Sequence, residues 1–213
     1  MDYTKEYTES QLKKRSLLRQ YIRNIYLNSA LKLTTGKTID FGCGIGEMLQ
    51  RLPAGSIGLE INESTVDHCK QKMLNVQPYN PNKDKYQLSE FKPGIYDTLL
   101  ISHVMEHLEQ PERVIRSLIK TCNRLDIKKI VIIVPGKNGF SFNNTHRTFI
   151  DSAFFLNHNL NTVDEFHITK KQYFPLNMKW PETLLTHHEL QVIYEKKSDF
   201  YITTANHFSN NSF

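Results

Sequence analysis

The feature that most constrains this chain is a turn with glycine at alternate positions, Gly42-Cys43-Gly44-Ile45-Gly46. It directly follows the apolar segment Thr38-Ile39-Asp40-Phe41. Glycines at this spacing permit a tight turn and let backbone approach a ligand where side chains would block it. The next apolar segment, 56–60, ends in Glu60, 20 residues beyond Asp40. A carboxylate at that distance is placed to grip the hydroxyls of a nucleotide ribose. Strand, glycine turn, helix and strand with a terminal carboxylate form the opening of an α/β domain.

The rest of the chain continues the alternation. Residues 8–30 repeat apolar positions at helical spacing, with Leu12, Leu17, Leu18, Tyr21, Ile22, Ile25 and Tyr26 on one stripe. A helix is expected over 47–51, stopped by Pro53, and another over 62–73, capped by Asn62 or Ser64. Residues 74–92 read as loop, with a short strand at 75–79 or 86–88. Segments 96–102 and 129–134 read as buried strands, with a helix over 111–123 between them that carries Pro111 in its first turn. A weaker helix follows at 149–157. Segments 162–169 and 189–194 alternate apolar and polar residues, which suits partly exposed strands. His187 and His188 read as surface or strand-end residues.

Strands apolar on both faces imply a mainly parallel sheet with helices on both sides. The expected architecture is an α/β, Rossmann-like fold with seven strands and an N-terminal helix. The expected division is a helical extension over 1–35, a catalytic domain over 36–200 and a loose tail over 201–213.

Composition narrows the setting. The chain has 213 residues, 39% hydrophobic and 23% charged, and its apolar runs are only strand-length, so no membrane span is expected. Residues 1–15 lack the apolar core of a secretion signal. Three cysteines, Cys43, Cys69 and Cys122, fit reduced thiols in a cytoplasmic protein, with Cys43 a small residue facing the core. The net charge of +5 is spread along the chain. Its densest cluster, Lys13-Lys14-Arg15 with Arg19 and Arg23, reads first as a solvated helix face. A nucleic acid partner is an alternative that this pattern does not favour.

The glycine turn leaves two cofactor classes. In the dinucleotide pattern a third glycine would stand at position 47, counted from Gly42, but this chain has Glu47. A carboxylate there would repel a pyrophosphate. S-adenosylmethionine carries a sulfonium and an ammonium group instead, and both tolerate nearby carboxylates.

At this point the sequence resembles a known family. Asp40-x-Gly42-x-Gly44-x-Gly46 is similar to motif I of the class I S-adenosylmethionine-dependent methyltransferases. Glu60, in Gly58-Leu59-Glu60-Ile61, looks like their ribose-binding acid. Leu100 to Leu108 resembles their strand-four motif, S-H-V-L-E-H-L. The resemblance covers about residues 36–136. It implies that Asp40 supports the turn and the methionine ammonium, and that Gly42, Cys43, Gly44 and Gly46 face the methionine portion. It further implies that Glu60 and Ile61 hold the nucleoside, and that Ser102, His103 and His107 line the pocket. The adenine-contacting residue stays open among Tyr79, Asn80 and Ser89-Glu90.

His103-x-x-Glu106-His107 puts three polar groups on one short segment. It reads as pocket lining at a helix start, as an acid–base site, or as a metal site. Some relatives bind a divalent ion through E-x-x-E-H here. The first carboxylate is His103 in this chain, and no metal is expected. A segment after the fifth strand, Asn144-Thr145-His146-Arg147-Thr148-Phe149, resembles the D-x-T-H-x-x-F stretch of methyltransferases associated with bacterial surface glycans. That makes His146 a candidate base beside His103, and Arg147 a grip for an anionic acceptor. The absence of an N-P-P-Y motif at 102–105 argues against methylation of base or amide nitrogen. The resulting expectation is methyl transfer to oxygen of a small-molecule or glycan-like acceptor. RNA or protein methylation, and a non-catalytic cofactor-binding module, are the alternatives.

Overall fold

The computed structural model describes residues 17–177 and 188–197, with side chains from residue 20. The basic cluster at 13–15, His187 and the tail at 201–213 lie outside the described residues. The N-terminal helix, α1, runs Leu17–Leu31. Strands β1 (Thr38–Phe41) and β2 (Ile57–Glu60) follow, then helix α2 (Glu63–Gln71), strand β3 (Val76–Pro78) and the single turn α3 (Pro81–Asp84). Strand β4 (Thr98–Ser102), a 3-10 turn (Met105–His107), helix α4 (Pro111–Leu125) and strand β5 (Lys129–Pro135) come next. Helices α5 (Lys137–Ser141) and α6 (Ser152–Asn157) precede strands β6 (Thr162–Val163), β7 (Phe166–Phe174) and β8 (Glu189–Lys196).

One sheet contains all eight strands of the described residues, in the order β3-β2-β1-β4-β5-β8-β7-β6. The first five pair in parallel, and β8, β7 and β6 pair antiparallel. Strand order reverses between β1 and β4, so the loops leaving Phe41 and Ser102 splay apart there. A crevice at that point is where open α/β sheets bind ligands.

Both faces of the sheet are covered. One carries α4 and α6 through Ile115, Leu118, Cys122 and Phe155, packed on Ile39, Leu99, Ile132 and Tyr194. The other carries α1 and α2 through Leu27, Ala30, Val66 and Cys69, packed on Leu100, Val131 and Ile193. Asn62 caps α2, its side chain accepting from the amides of Ser64 and Thr65. No helix among the described residues is long and apolar enough to cross a membrane.

Four expectations need correction. The helix over 47–51 is a single turn: the Gln50 amide bonds to the Gly46 carbonyl and that of Leu52 to the Met48 carbonyl, and Pro53 leaves no room for more. The strand over 162–169 is a hairpin, because Asp164 turns in the left-handed region at φ 51° and Val163 pairs with Phe166. Strand β8 is not partly exposed. Its residues Glu189–Tyr194 are all buried because β8 lies between β5 and β7, and α1 covers its polar side, with Gln191 donating to the Ser29 hydroxyl at 3.1 Å. His188 is likewise 1% exposed, its ring stacked on Tyr173 at 5.0 Å, rather than at the surface.

Candidate active site

The glycine turn bridges β1 and the crevice. Gly42, Gly44 and Gly46 all adopt positive φ, between 53° and 77°. A side chain at Gly42 would meet Val104 Cγ2 at 2.5 Å, and one at Gly46 would meet Leu74 Cδ1 at 2.4 Å. The turn is therefore packed directly against the residue after His103. At Gly44 a side chain would meet nothing within 4 Å among the described residues. Its outer side is an open cradle that a ligand can occupy.

Two carboxylates flank this cradle. Glu60 accepts from the Gly44 amide at 2.9 Å and from the Asn62 amide at 3.0 Å. These bonds fix the carboxylate while leaving lone pairs on both oxygens free for hydroxyl donors. Asp40 is 2% exposed, and its Oδ2 is buried without a hydrogen-bond partner among the described residues. Burial raises its pKa from 3.8 to about 7, Glu60 adds to the rise, and Arg23 opposes it. An orphaned carboxylate oxygen beside an open cradle suits a ligand that brings a cation.

Helix α1 braces the same turn. Arg23 pairs with Glu47 at 3.0 Å, and Arg51 donates to the side chains of Asn24 and Asn28. Thus Arg23 of the basic stripe is spent on the turn, and Glu47 does not stand uncompensated. Cys43 and Cys69 are buried free thiols that converge on the Gly44 carbonyl. A hydrogen bond to Cys69, with burial, raises the Cys43 pKa and keeps it a thiol.

Beyond β3 lies a cavity of about 180 Å³, lined by Gln77, Tyr79, Asn80, Asp84, Ser89 and Glu90 among others. All the candidate adenine contacts stand around it. Tyr79 donates to Asp84 at 2.7 Å, Ser89 bonds to the same carboxylate, and Asn80 caps α3.

The carboxyl ends of β4 and β5 and the amino end of the antiparallel β8 build a second cluster. His103 sits in the left-handed region at φ 56°, which turns the chain sharply after Ser102. Its ring lies between two buried carboxylates, with Nδ1 3.3 Å from Glu106 and Nε2 3.3 Å from Glu189. Burial would lower its pKa, but the two carboxylates outweigh that and raise it to about 9. His103 therefore carries charge at neutral pH. Glu189 stands 86 residues further along the chain, and nothing in the local sequence marked it.

His146 and His107 meet nearby, their ring centroids 4.8 Å apart. His146 Nδ1 lies 2.9 Å from the Phe140 carbonyl, and its Nε2 lies 3.9 Å from Glu106. Burial lowers its pKa. His107 turns its ring to Thr145 rather than to the glycine turn, with Nδ1 3.3 Å from the Thr145 carbonyl. Arg147 pairs with Glu109, and Thr148 donates to the Leu108 carbonyl. The loop carrying His146 is thus pinned to the segment carrying Glu106.

A family model described as a methyltransferase domain matches residues 39–124. Among solved structures, a SAM-dependent methyltransferase from Archaeoglobus fulgidus is 20% identical, with 91% of this chain and 100% of that chain covered and a TM-score of 0.61. Magnesium protoporphyrin IX methyltransferase from Synechocystis, solved with SAH, is 15% identical over 86% and 89% of the two chains, with a TM-score of 0.56. A type 11 methyltransferase from Sulfolobus solfataricus, described as putative, is 15% identical over 83% and 92%, with a TM-score of 0.55. No curated protein matches. Residues 39–124 thus match a methyltransferase domain, and the fold is the one shared by these S-adenosylmethionine-dependent methyltransferases. These likenesses support S-adenosyl-L-methionine as the cofactor, and the Asp40–Gly44–Glu60 cradle fits that molecule's cation and ribose.

Proposed function

We propose that the chain transfers a methyl group from S-adenosylmethionine to a hydroxyl oxygen of a small-molecule or glycan-like acceptor. The observation that carries this reading is a wall of histidines and carboxylates around Val104, the residue that packs on Gly42 of the glycine turn. His103, Glu106, Glu189 and His146 lie together where β4 and β5 end and β8 begins. A hydroxyl must lose its proton as it takes the methyl, and such a wall provides the means.

The cofactor supplies an electrophilic methyl on a positive sulfur. Asp40, with its orphaned Oδ2, would hold the methionine ammonium, and Glu60, oriented by the Gly44 and Asn62 amides, would hold the ribose hydroxyls. The backbone of 42–46 would hold the methionine portion. Val104, against Gly42, sets the distance between the turn and the wall. The protein's task is then to align acceptor oxygen and methyl carbon and to exclude water. The bound cofactor would supply the methyl that replaces the hydroxyl proton, and the wall would take that proton. The Phe140 carbonyl holds the proton of neutral His146 on Nδ1, which leaves Nε2 as a lone pair for it.

The test is a methyl-labelled cofactor offered with panels of sugars, phosphorylated sugars, phenols, RNA and protein. Label is expected on oxygen of a small acceptor or glycan. On that acceptor, changing His103 and His146 together to Ala is expected to cut kcat about a hundredfold. His146→Ala alone should leave S-adenosylhomocysteine binding unchanged. Label found only in RNA or protein, or unaltered turnover by the double variant, would sink the reading.

A further inference from the structure

We infer that Gln191 is a positioning residue: it fixes the carboxylate of Glu189, which in turn holds the ring of His103 in place against Glu106. Strand register brings these groups together. Ser102, Ile133, Gln191 and Gln172 stand in one row across β4, β5, β8 and β7. His103 leaves the end of that row, its amide bonded to the Ile133 carbonyl at 2.9 Å. Glu189 and Gln191 are two residues apart on β8, so their side chains share a face. It is the face that α1 covers, through Ser29.

Hydrogen bonds give the Gln191 amide one orientation. A carboxylate only accepts, so the contact with Glu189 decides which end of the amide is nitrogen. Gln191 then donates one N–H to Glu189 Oε1 at 2.8 Å and the other to the Ser29 hydroxyl at 3.1 Å. Its oxygen accepts from the Gln172 side chain at 2.7 Å. With Oε1 of Glu189 engaged in this way, Oε2 stands 3.3 Å from His103 Nε2. The other ring nitrogen, Nδ1, stands 3.3 Å from Glu106. Side chains alone thus link β7 and β8 to the segment after β4.

Stability does not account for this row. Gln191 is 0% exposed, and Glu189 is buried beside it. A buried carboxylate is costly, and an apolar pair of similar shape would hold β8 between its neighbours at least as well. What offsets the cost is the Gln191 N–H on one oxygen and the His103 ring on the other. The groups facing His103 are Glu106 from the 3-10 turn, Glu189 from β8 and, further off, His146 from the loop after β5. The two carboxylates outweigh burial and keep the ring charged. Tyr26 of α1 also faces Glu189; burial, with Glu189 adding to it, raises its pKa and keeps it a neutral phenol. Without the Gln191 donor, ionised Glu189 loses a bond that stabilises it, and His103 loses part of one counter-charge. The effect on turnover rests on the proposed transfer to oxygen. Glu106 faces both His103 and His146, and is held where it can support the charge that His146 gains with the proton.

The test is NMR of the full chain with labelled histidine, the His103 ring signals being assigned by their loss in His103→Ala. In the wild type that ring is expected to titrate near 9, against an ordinary 6.5. Gln191→Met keeps the volume and removes the donor, and should lower the midpoint by about one pH unit. Glu189→Gln should lower it further, and in that background Gln191→Met should add nothing, because Gln191 acts through Glu189. A change that merely loosens β8 would act equally in both backgrounds. Melting temperature and S-adenosylhomocysteine binding report folding, and Gln191→Leu replaces the Met variant should that one not fold. On an identified acceptor, Gln191→Met should cut kcat about tenfold and leave the KM for S-adenosylmethionine unaltered. A wild-type ring that titrates near 6.5 would overturn the proposal with no variant needed. So would an unmoved midpoint in a folded Gln191 variant, or an equal drop in both backgrounds. A midpoint that drops while kcat stays supports the hold of Gln191 on His103 and counts against the transfer reading instead.

Discussion

Replacing Asp40 by Asn should make the cofactor-free protein more stable above pH 7 and, at the same time, a much poorer binder of S-adenosylmethionine. Asp40 is buried beside Glu60, and its folded-state pKa is about 7 against an ordinary 3.8. Between those values the folded chain holds a proton that the unfolded chain has released. Stability therefore falls as pH rises from about 4 to about 7, by about 1.4 kcal/mol per pH unit at most. Across the window the loss is on the order of 4 kcal/mol, and above pH 7 it stays constant. Asn removes the titration and keeps the shape. The difference in melting temperature between variant and wild type should be small at pH 4 and grow to roughly 10 °C at pH 8. A charged hydrogen bond to the methionine ammonium contributes about 1.5–3 kcal/mol, so cofactor affinity should fall about 10- to 100-fold. In the wild type, affinity should strengthen as pH rises through 7, because the ionised form is the one that pairs with the ammonium. A melting difference that does not vary with pH, or unchanged cofactor affinity in the variant, would remove Asp40 from this role. The instability is the condition of a site held ready for a cation.

Much of this was readable from the chain. The glycine turn needed its glycines for reasons that local backbone sterics supply, and the structure gives them positive φ with Val104 and Leu74 packed close. Strands β4 and β5 were legible because they are apolar on both faces. Strand β8 was not. Its alternation of Glu189 and Gln191 with Leu190 and Val192 resembles a half-solvated strand, and only the placement of α1 over its polar side buries it. A two-residue period reports that two faces differ, not that one of them meets water.

The same limit applies to the site. Asp40, Gly44 and Glu60 form one local unit, and their spacing carries the chemistry. The wall of histidines and carboxylates is assembled from distant segments. Glu189 reaches His103 only because β8 inserts next to β5, and His146 reaches Glu106 only because its loop folds back, with the Arg147 amide bonded to the Glu106 carbonyl at 2.8 Å. The histidine motif could be seen in the sequence, but its partners could not. That is why the role of His103 reads differently here. Alone it is a candidate base, whereas between two carboxylates it is a charged group that holds them in place.

The second large effect is expected at Glu60. Glu60→Ala removes the carboxylate that two backbone amides orient, those of Gly44 and Asn62. Two ribose hydroxyls would lose charged acceptors worth about 1.5–3 kcal/mol each, so cofactor affinity should fall about 10²- to 10⁴-fold. The free protein should also lose on the order of 1–2 kcal/mol, because the freed amides fall back on water that only partly reaches them. Gln does not rescue the site. Its single carbonyl oxygen can serve one amide, while its NH2 group faces the other donor and repels it. The Gln variant should therefore bind little better than Ala, although it preserves the shape. Calorimetry with S-adenosylhomocysteine, and with a 2′-deoxyribose analogue on the wild type, tests both halves of the argument. The analogue should lose about one hydroxyl's share, and a Gln variant that binds like the wild type would show that Glu60 holds the turn and not the ribose.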